Sequence, residues 1–125
     1  MMIGNAEIFT SNLLSLEVKE NDTSINIKWT GVSIEREPSK FITPILVNAI
    51  KNSSDRNKRI ILDFRELAYM NSSTITPVIK ILERAKRGET QIEVLYQKSM
   101  QWQDIIFSAL EIFQTKDRRV EIKGL

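Results

Sequence analysis

The sequence predicts an α/β fold: a mixed, mostly parallel sheet with an N-terminal antiparallel β-hairpin and about three main helices. Apolar and polar residues alternate over residues 14–18 and 25–29, the period of half-buried strands. Residues 59–64 are nearly continuous apolar sequence, the pattern of a central strand covered on both faces. After residue 30, strand-like and helix-like segments alternate, as they do where helices connect parallel strands.

Leu14, Leu16 and Val18 share one sheet face, as do Ile25, Ile27 and Trp29, and the polar stretch at 20–23 turns one strand into the other. Residues 6–10 add a short strand or turn before the hairpin. After Gly31 and a charged passage, Phe41, Ile42, Ile45, Leu46, Ala49 and Ile50 take helical spacing, so the first helix ends near Asn52. Its start is either Ser39 or the Thr43-Pro44 pair, because proline fits a first turn whose amides are unpaired anyway. The second helix carries a core stripe of Ile75, Val78, Ile79 and Leu82 and stops at Gly88. Residues 91–96 form another strand, and 99–114 a third helix with Trp102, Ile105, Ile106, Ala109, Leu110 and Phe113 inward. Residues 119–123 supply a last edge strand.

The 125 residues, 42% hydrophobic, suffice for a core, and the expectation is one domain over 1–125. Eighteen basic against sixteen acidic residues leave a net charge of +2, too small to indicate nucleic-acid binding. The absence of cysteine and histidine removes thiol and imidazole catalysis, disulfides and the common zinc ligand sets. The four glycines Gly4, Gly31, Gly88 and Gly124 build neither a P-loop nor a dinucleotide-binding turn. Asp63, Glu66 and Asp104 have no spacing that fixes an acid–base pair, and Asp63 reads instead as an acceptor for the turn after its strand. No enzyme activity, cofactor or metal is expected. The first residues lack a basic segment leading into an apolar stretch, and no apolar run approaches the ~20 residues that span a bilayer. A cytoplasmic protein without membrane insertion is expected.

Between the central strand and the second helix lies the most informative segment, with Asn71, Ser72, Ser73, Thr74 and Thr76 in succession before and after Ile75. One helix cap needs one acceptor. A phosphate on Ser72, Ser73 or Thr74 would meet unpaired amides and the positive end of the helix dipole. Pro77 removes a further donor and is expected to hold the segment open.

With Leu62-Asp-Phe ending a strand and Tyr69-Met-Asn-Ser-Ser-Thr-Ile75 following, the chain resembles the sulfate transporter and anti-sigma factor antagonist (STAS) family over most of its length. In that family the turn commonly reads Asp-Ser-Ser-Gly, and the resemblance implies Ser72 as phosphoacceptor, with Ser73 and Thr74 as alternatives. In character it is closest to SiaC-type regulatory phosphoproteins, whose proline-containing passage before the first helix is similar to Pro38-Ser-Lys-Phe-Ile-Thr-Pro-Ile-Leu46. The chain departs from the family at Asn71, where an acidic residue is usual, and at Thr74, where glycine is usual.

The resemblance implies a non-enzymatic partner-switching protein. A Ser/Thr kinase and a PP2C-type phosphatase would set its state, and its target would be an anti-sigma factor kinase or a diguanylate cyclase. Lys80, Arg84 and Arg87 at helical spacing are candidates for the partner-binding face, and Phe107 for an exposed anchor, while Ile112 reads as core. Two other functions fit the same residues. One is a sensor whose helix start binds a small anion or nucleotide; the other is a constitutive homodimer using Phe107 and the hairpin edge.

Overall fold

The computed structural model describes residues 6–125, so residues 1–5, on which the expectation of no leader segment rests, lie outside the described residues. Three strands open the chain: β1 (Ala6–Ser11), β2 (Leu14–Glu20) and β3 (Ser24–Ser33) form an antiparallel meander. Helix α1 (Ser39–Arg56) leads to β4 (Arg59–Asp63) and β5 (Leu67–Met70), then α2 (Ser72–Lys86) to β6 (Ile92–Tyr96). Helix α3 (Gln101–Ala109) runs into a 3-10 turn, Leu110–Phe113, before β7 (Val120–Gly124). The sheet order is β1-β2-β3-β4-β6-β7, and all pairings from β3 onward are parallel. The predicted α/β class, the N-terminal hairpin and the three helices are all present.

Strand register builds the core in rows. Ile25, Ile60, Ile92 and Val120 lie side by side across four strands, as do Ile27, Leu62, Val94 and Ile122. Both rows are buried beneath the helices. Cover on both faces was expected of β4, but its opposite face carries ion pairs instead. Arg59 reaches Glu121 at 2.6 Å and Glu93 at 3.4 Å there, Lys123 reaches Glu93 at 3.1 Å, and Lys28 reaches Glu66 at 2.8 Å. Ile61 and Leu95 made β4 and β6 look apolar throughout, but both are only half-buried between these ion pairs.

Strand β5 was not anticipated. It pairs with β3 where β3 runs on past the end of β4, after a bulge at Gly31 and Val32. Gly31 has φ 87°, and a Cβ there would overlap the Leu13 carbonyl oxygen, which accepts from Val32 N at 3.1 Å. Glycine is the residue that fits this backbone.

Helix α1 starts at Ser39 and runs a turn beyond Asn52, to a left-handed Asn57. Pro44 and Pro77 each stand at the sixth helical position, where they remove one backbone bond without breaking the helix, so Pro77 does not hold its segment open. On α2, Ile75 and Ile79 are half-buried, and the buried stripe is Thr74, Pro77, Val78, Ile81, Leu82 and Ala85.

Helix α3 is rotated from expectation: Ile105 and Ala109 face solvent, and Gln103 and Phe107 are fully buried. The reason is polar. Gln103 donates to the carbonyls of Phe64 at 2.6 Å and Leu67 at 3.0 Å and accepts from Gln97 N at 2.8 Å. That anchor turns Phe107, one helical turn on, into the aromatic cluster, with ring centroids 4.7 Å from Phe64 and 5.5 Å from Tyr96. Phe107 is therefore core and not an exposed anchor, whereas Ile112, read as core, is 76% exposed.

Candidate functional site

The segment from Phe64 to Ser73 crosses the end of the sheet at which the parallel strands finish. Asp63 ends β4 and accepts from Arg65 N at 3.1 Å and from the Arg65 guanidinium at 3.0 and 2.8 Å, so it stabilises the turn as expected. Burial pushes the Asp63 pKa up, but the side-chain and backbone bonds from Arg65 outweigh it and hold the carboxyl below its ordinary range.

Asn71 is the helix cap. Its backbone is extended, and its Oδ1 accepts from Thr74 N at 3.1 Å and from Thr74 Oγ1 at 2.8 Å. Its Nδ2 donates to the Glu35 carbonyl at 2.9 Å, and its backbone N–H donates to the Ser33 carbonyl at 2.9 Å. The cap of α2 thus ties down the loop that leads from β3 into α1.

Thr74 belongs to the same network. Its hydroxyl is fully buried, 2.6 Å from Ser33 Oγ and bonded to Asn71. A kinase cannot reach it without opening the β3–α2 contact, which removes Thr74 as an acceptor in the folded chain. The threonine pins α2 to β3.

Ser72 and Ser73 are different. They are the first two residues of α2, both exposed, and among the described residues neither hydroxyl has a hydrogen-bond partner. Thr76 is also exposed, one turn on from Ser72. With Asn71 supplying the cap, the two serines are free of the structural duty that makes hydroxyls common at helix starts. Ser33 and Glu35, the distant partners of this network, were missed in the sequence. They are 41 and 36 residues from Thr74 and Asn71, and no local pattern connects them.

The basic residues are not equivalent. Arg84 bonds Glu89 at 2.9 Å and Arg87 lies 3.6 Å from the same carboxylate, while Lys80 is exposed with no carboxylate within 4.0 Å among the described residues. Phe107 lies in the core beneath α3, away from this surface. Exposed apolar side chains stand at this end of the sheet, around the end of β3: Leu13 in the β1–β2 turn, Ile34 after β3 and Tyr69 on β5. Tyr69 packs at 5.9 Å against Trp102. No helix is long and apolar enough to cross a membrane among the described residues.

No family model and no curated protein matches the chain. Among solved structures, the chain is similar to an uncharacterized protein of the DUF3478 family with a SpoIIAA-like fold from Shewanella loihica PV-4. The likeness covers 100% of this chain and 87% of that one, at 16% identity and a TM-score of 0.51. At that identity the likeness speaks to the fold alone, which is SpoIIAA-like and hence STAS-like.

Proposed function

We propose that this chain is a non-enzymatic regulatory protein, a single STAS-like domain over 1–125, whose partner choice is set by phosphorylation at the start of α2. One observation carries the reading: Asn71 and Thr74 complete the cap and the β3 contact, so Ser72 is displayed at the helix start with no structural bond to lose. A Ser/Thr kinase would move the γ-phosphoryl group of ATP onto Ser72 Oγ with loss of the hydroxyl proton, and hydrolysis by a PP2C-type phosphatase would restore the serine. The backbone amides of the first turn and the helix dipole favour the added charge of about −1.5 to −2.

The target docks at this end of the sheet, where the apolar side chains Leu13, Ile34 and Tyr69 accompany the exposed serines. A dianion placed among them raises the cost of burying the surface and shifts binding away from the target. An anti-sigma factor kinase and a diguanylate cyclase are the two target classes, with Lys80 and Arg84 on the partner face and the cytoplasm as the compartment. The test is mass spectrometry of the peptide containing Ser72 from native cells, with phosphatase-treated protein as control. Phosphate on Ser72, lost in Ser72→Ala, is expected. Its reproducible absence across growth states would refute this reading and favour an anion sensor or a constitutive dimer.

A further inference from the structure

We infer that the furrow between α1 and α2 receives an acidic, amphipathic helix of a partner protein, and that Ser73, more than Ser72, sets the charge at its mouth. The second half of this inference rests on the phosphorylation reading; the first does not.

The furrow is two adjoining hollows of about 140 and about 380 Å³ that share Val47, Ile50 and Arg84. Its floor is apolar, with Leu46 and Ile50 from α1 and Pro77 and Ile81 from α2. Val47 is 44% exposed, and it is the one large hydrophobic residue that α1 and α2 leave open to solvent. Cations stand on both walls. Lys51 on α1 and Lys80 on α2 have no carboxylate within 4.0 Å among the described residues, and Arg84 is held by Glu89. Asp55, at the far end, is the other acidic side chain that lines it.

An apolar floor with an unpaired lysine on each wall is complementary to an apolar stripe flanked by carboxylates on both sides, which is the surface of an acidic amphipathic helix. An extended segment fits poorly, because the floor offers side chains and no sheet edge, so the segment's backbone amides would face apolar carbon unpaired. A helix brings its backbone bonds already made and seats Val47 between its turns.

Position along α2 separates the two serines. Lys80 and Arg84 line the furrow, and Ser73, seven residues or about two turns before Lys80, continues their line toward the start of α2. Ser72 is about 100° around the helix from that line. A phosphate on Ser73 therefore places its charge at the furrow's mouth, opposed to the carboxylates of the docked helix and competing for the field of Lys80. A phosphate on Ser72 projects away from that line and so adds less charge at the mouth.

The experiment uses the full chain and a fluorescein-labelled synthetic helix of about five turns, with leucines along one stripe and glutamates flanking it, followed by anisotropy. A counterpart with lysine for glutamate is the control. The glutamate peptide is expected to bind at least about tenfold more tightly than the lysine peptide. Lys80→Glu and Lys51→Glu are each expected to weaken it several-fold and flatten its salt dependence. Val47→Asp should abolish binding in protein whose circular dichroism is unchanged, and Tyr69→Asp should leave it intact. No binding of the glutamate peptide, or loss with Tyr69→Asp instead of Val47→Asp, would overturn the furrow. Equal weakening by Ser72→Asp and Ser73→Asp would overturn the role of Ser73. Absence of phosphate in native cells with peptide binding preserved refutes the phosphorylation reading and leaves the furrow standing.

Discussion

Replacing Asn71 with alanine removes three side-chain hydrogen bonds: to Thr74 N at 3.1 Å, Thr74 Oγ1 at 2.8 Å and the Glu35 carbonyl at 2.9 Å. A lost cap costs about 1 kcal/mol. Each of the other two bonds adds about 0.5–1.5 kcal/mol. The site is half-buried, so water recovers part of the loss, and the expected destabilisation is about 2–3 kcal/mol. Asn71→Asp separates the two roles of the side chain. The carboxylate keeps the cap and gains about 0.3–1 kcal/mol from the helix dipole, but it loses the donor to Glu35 and faces that carbonyl with an oxygen. Its net cost is expected to be about 1 kcal/mol, well below that of alanine. Urea titration followed by the fluorescence of Trp29 and Trp102 measures both variants. With a slope of about 1.5 kcal/mol/M, the alanine midpoint falls by about 1.5 M. A loss under about 0.5 kcal/mol for alanine, or aspartate costing as much as alanine, would show that Asn71 does not join the α2 cap to the β3–α1 loop.

Gly31→Ala forces a Cβ against the Leu13 carbonyl at a positive φ and is expected to cost well over ~1 kcal/mol, seen as a lowered melting temperature. Gln103→Leu leaves the Gln97 amide and the Leu67 carbonyl without their buried partner, for a loss of about 2–4 kcal/mol by the same titration; a neutral result would contradict the anchoring of α3. Thr74→Val keeps the shape but strands the buried Ser33 hydroxyl, and about 1–3 kcal/mol should be lost in a denaturation curve. The Glu20 carboxyl is held below its ordinary range by the hydrogen bond from Lys58, and secondarily by Arg56, against the opposing effect of burial. Its contribution is therefore present above the unfolded carboxylate pKa and lost as the pH falls through the depressed folded value. Glu20→Gln should flatten that acidic part of the stability profile and leave its neutral part level.

Much of the candidate site was legible because the signals that mark it are local. The strand end at Asp63, the turn it stabilises and the hydroxyl-rich start of α2 all follow from neighbours within a few residues. Sorting those hydroxyls was not legible. Asn71 and Thr74 differ from Ser72 and Ser73 by their bonds to Ser33 and Glu35, and those residues meet them only when β5 pairs with β3. Helix α3 teaches the same lesson. Apolar residues surround much of it, so periodicity left its rotation open, and a buried glutamine made the choice.

By itself the sequence determined the order and type of nearly every element, because the periods of two and 3.6 residues express which side chains one segment can bury together. It also determined that cysteine, histidine and glycine-loop chemistry are absent. The tertiary structure alone decided which sheet face stays open, that Phe107 is inside and Ile112 outside, and that two serines are displayed while a threonine is buried. These outcomes depend on partners brought together across the chain, and the energy of burying a polar group is set by the partner it finds there.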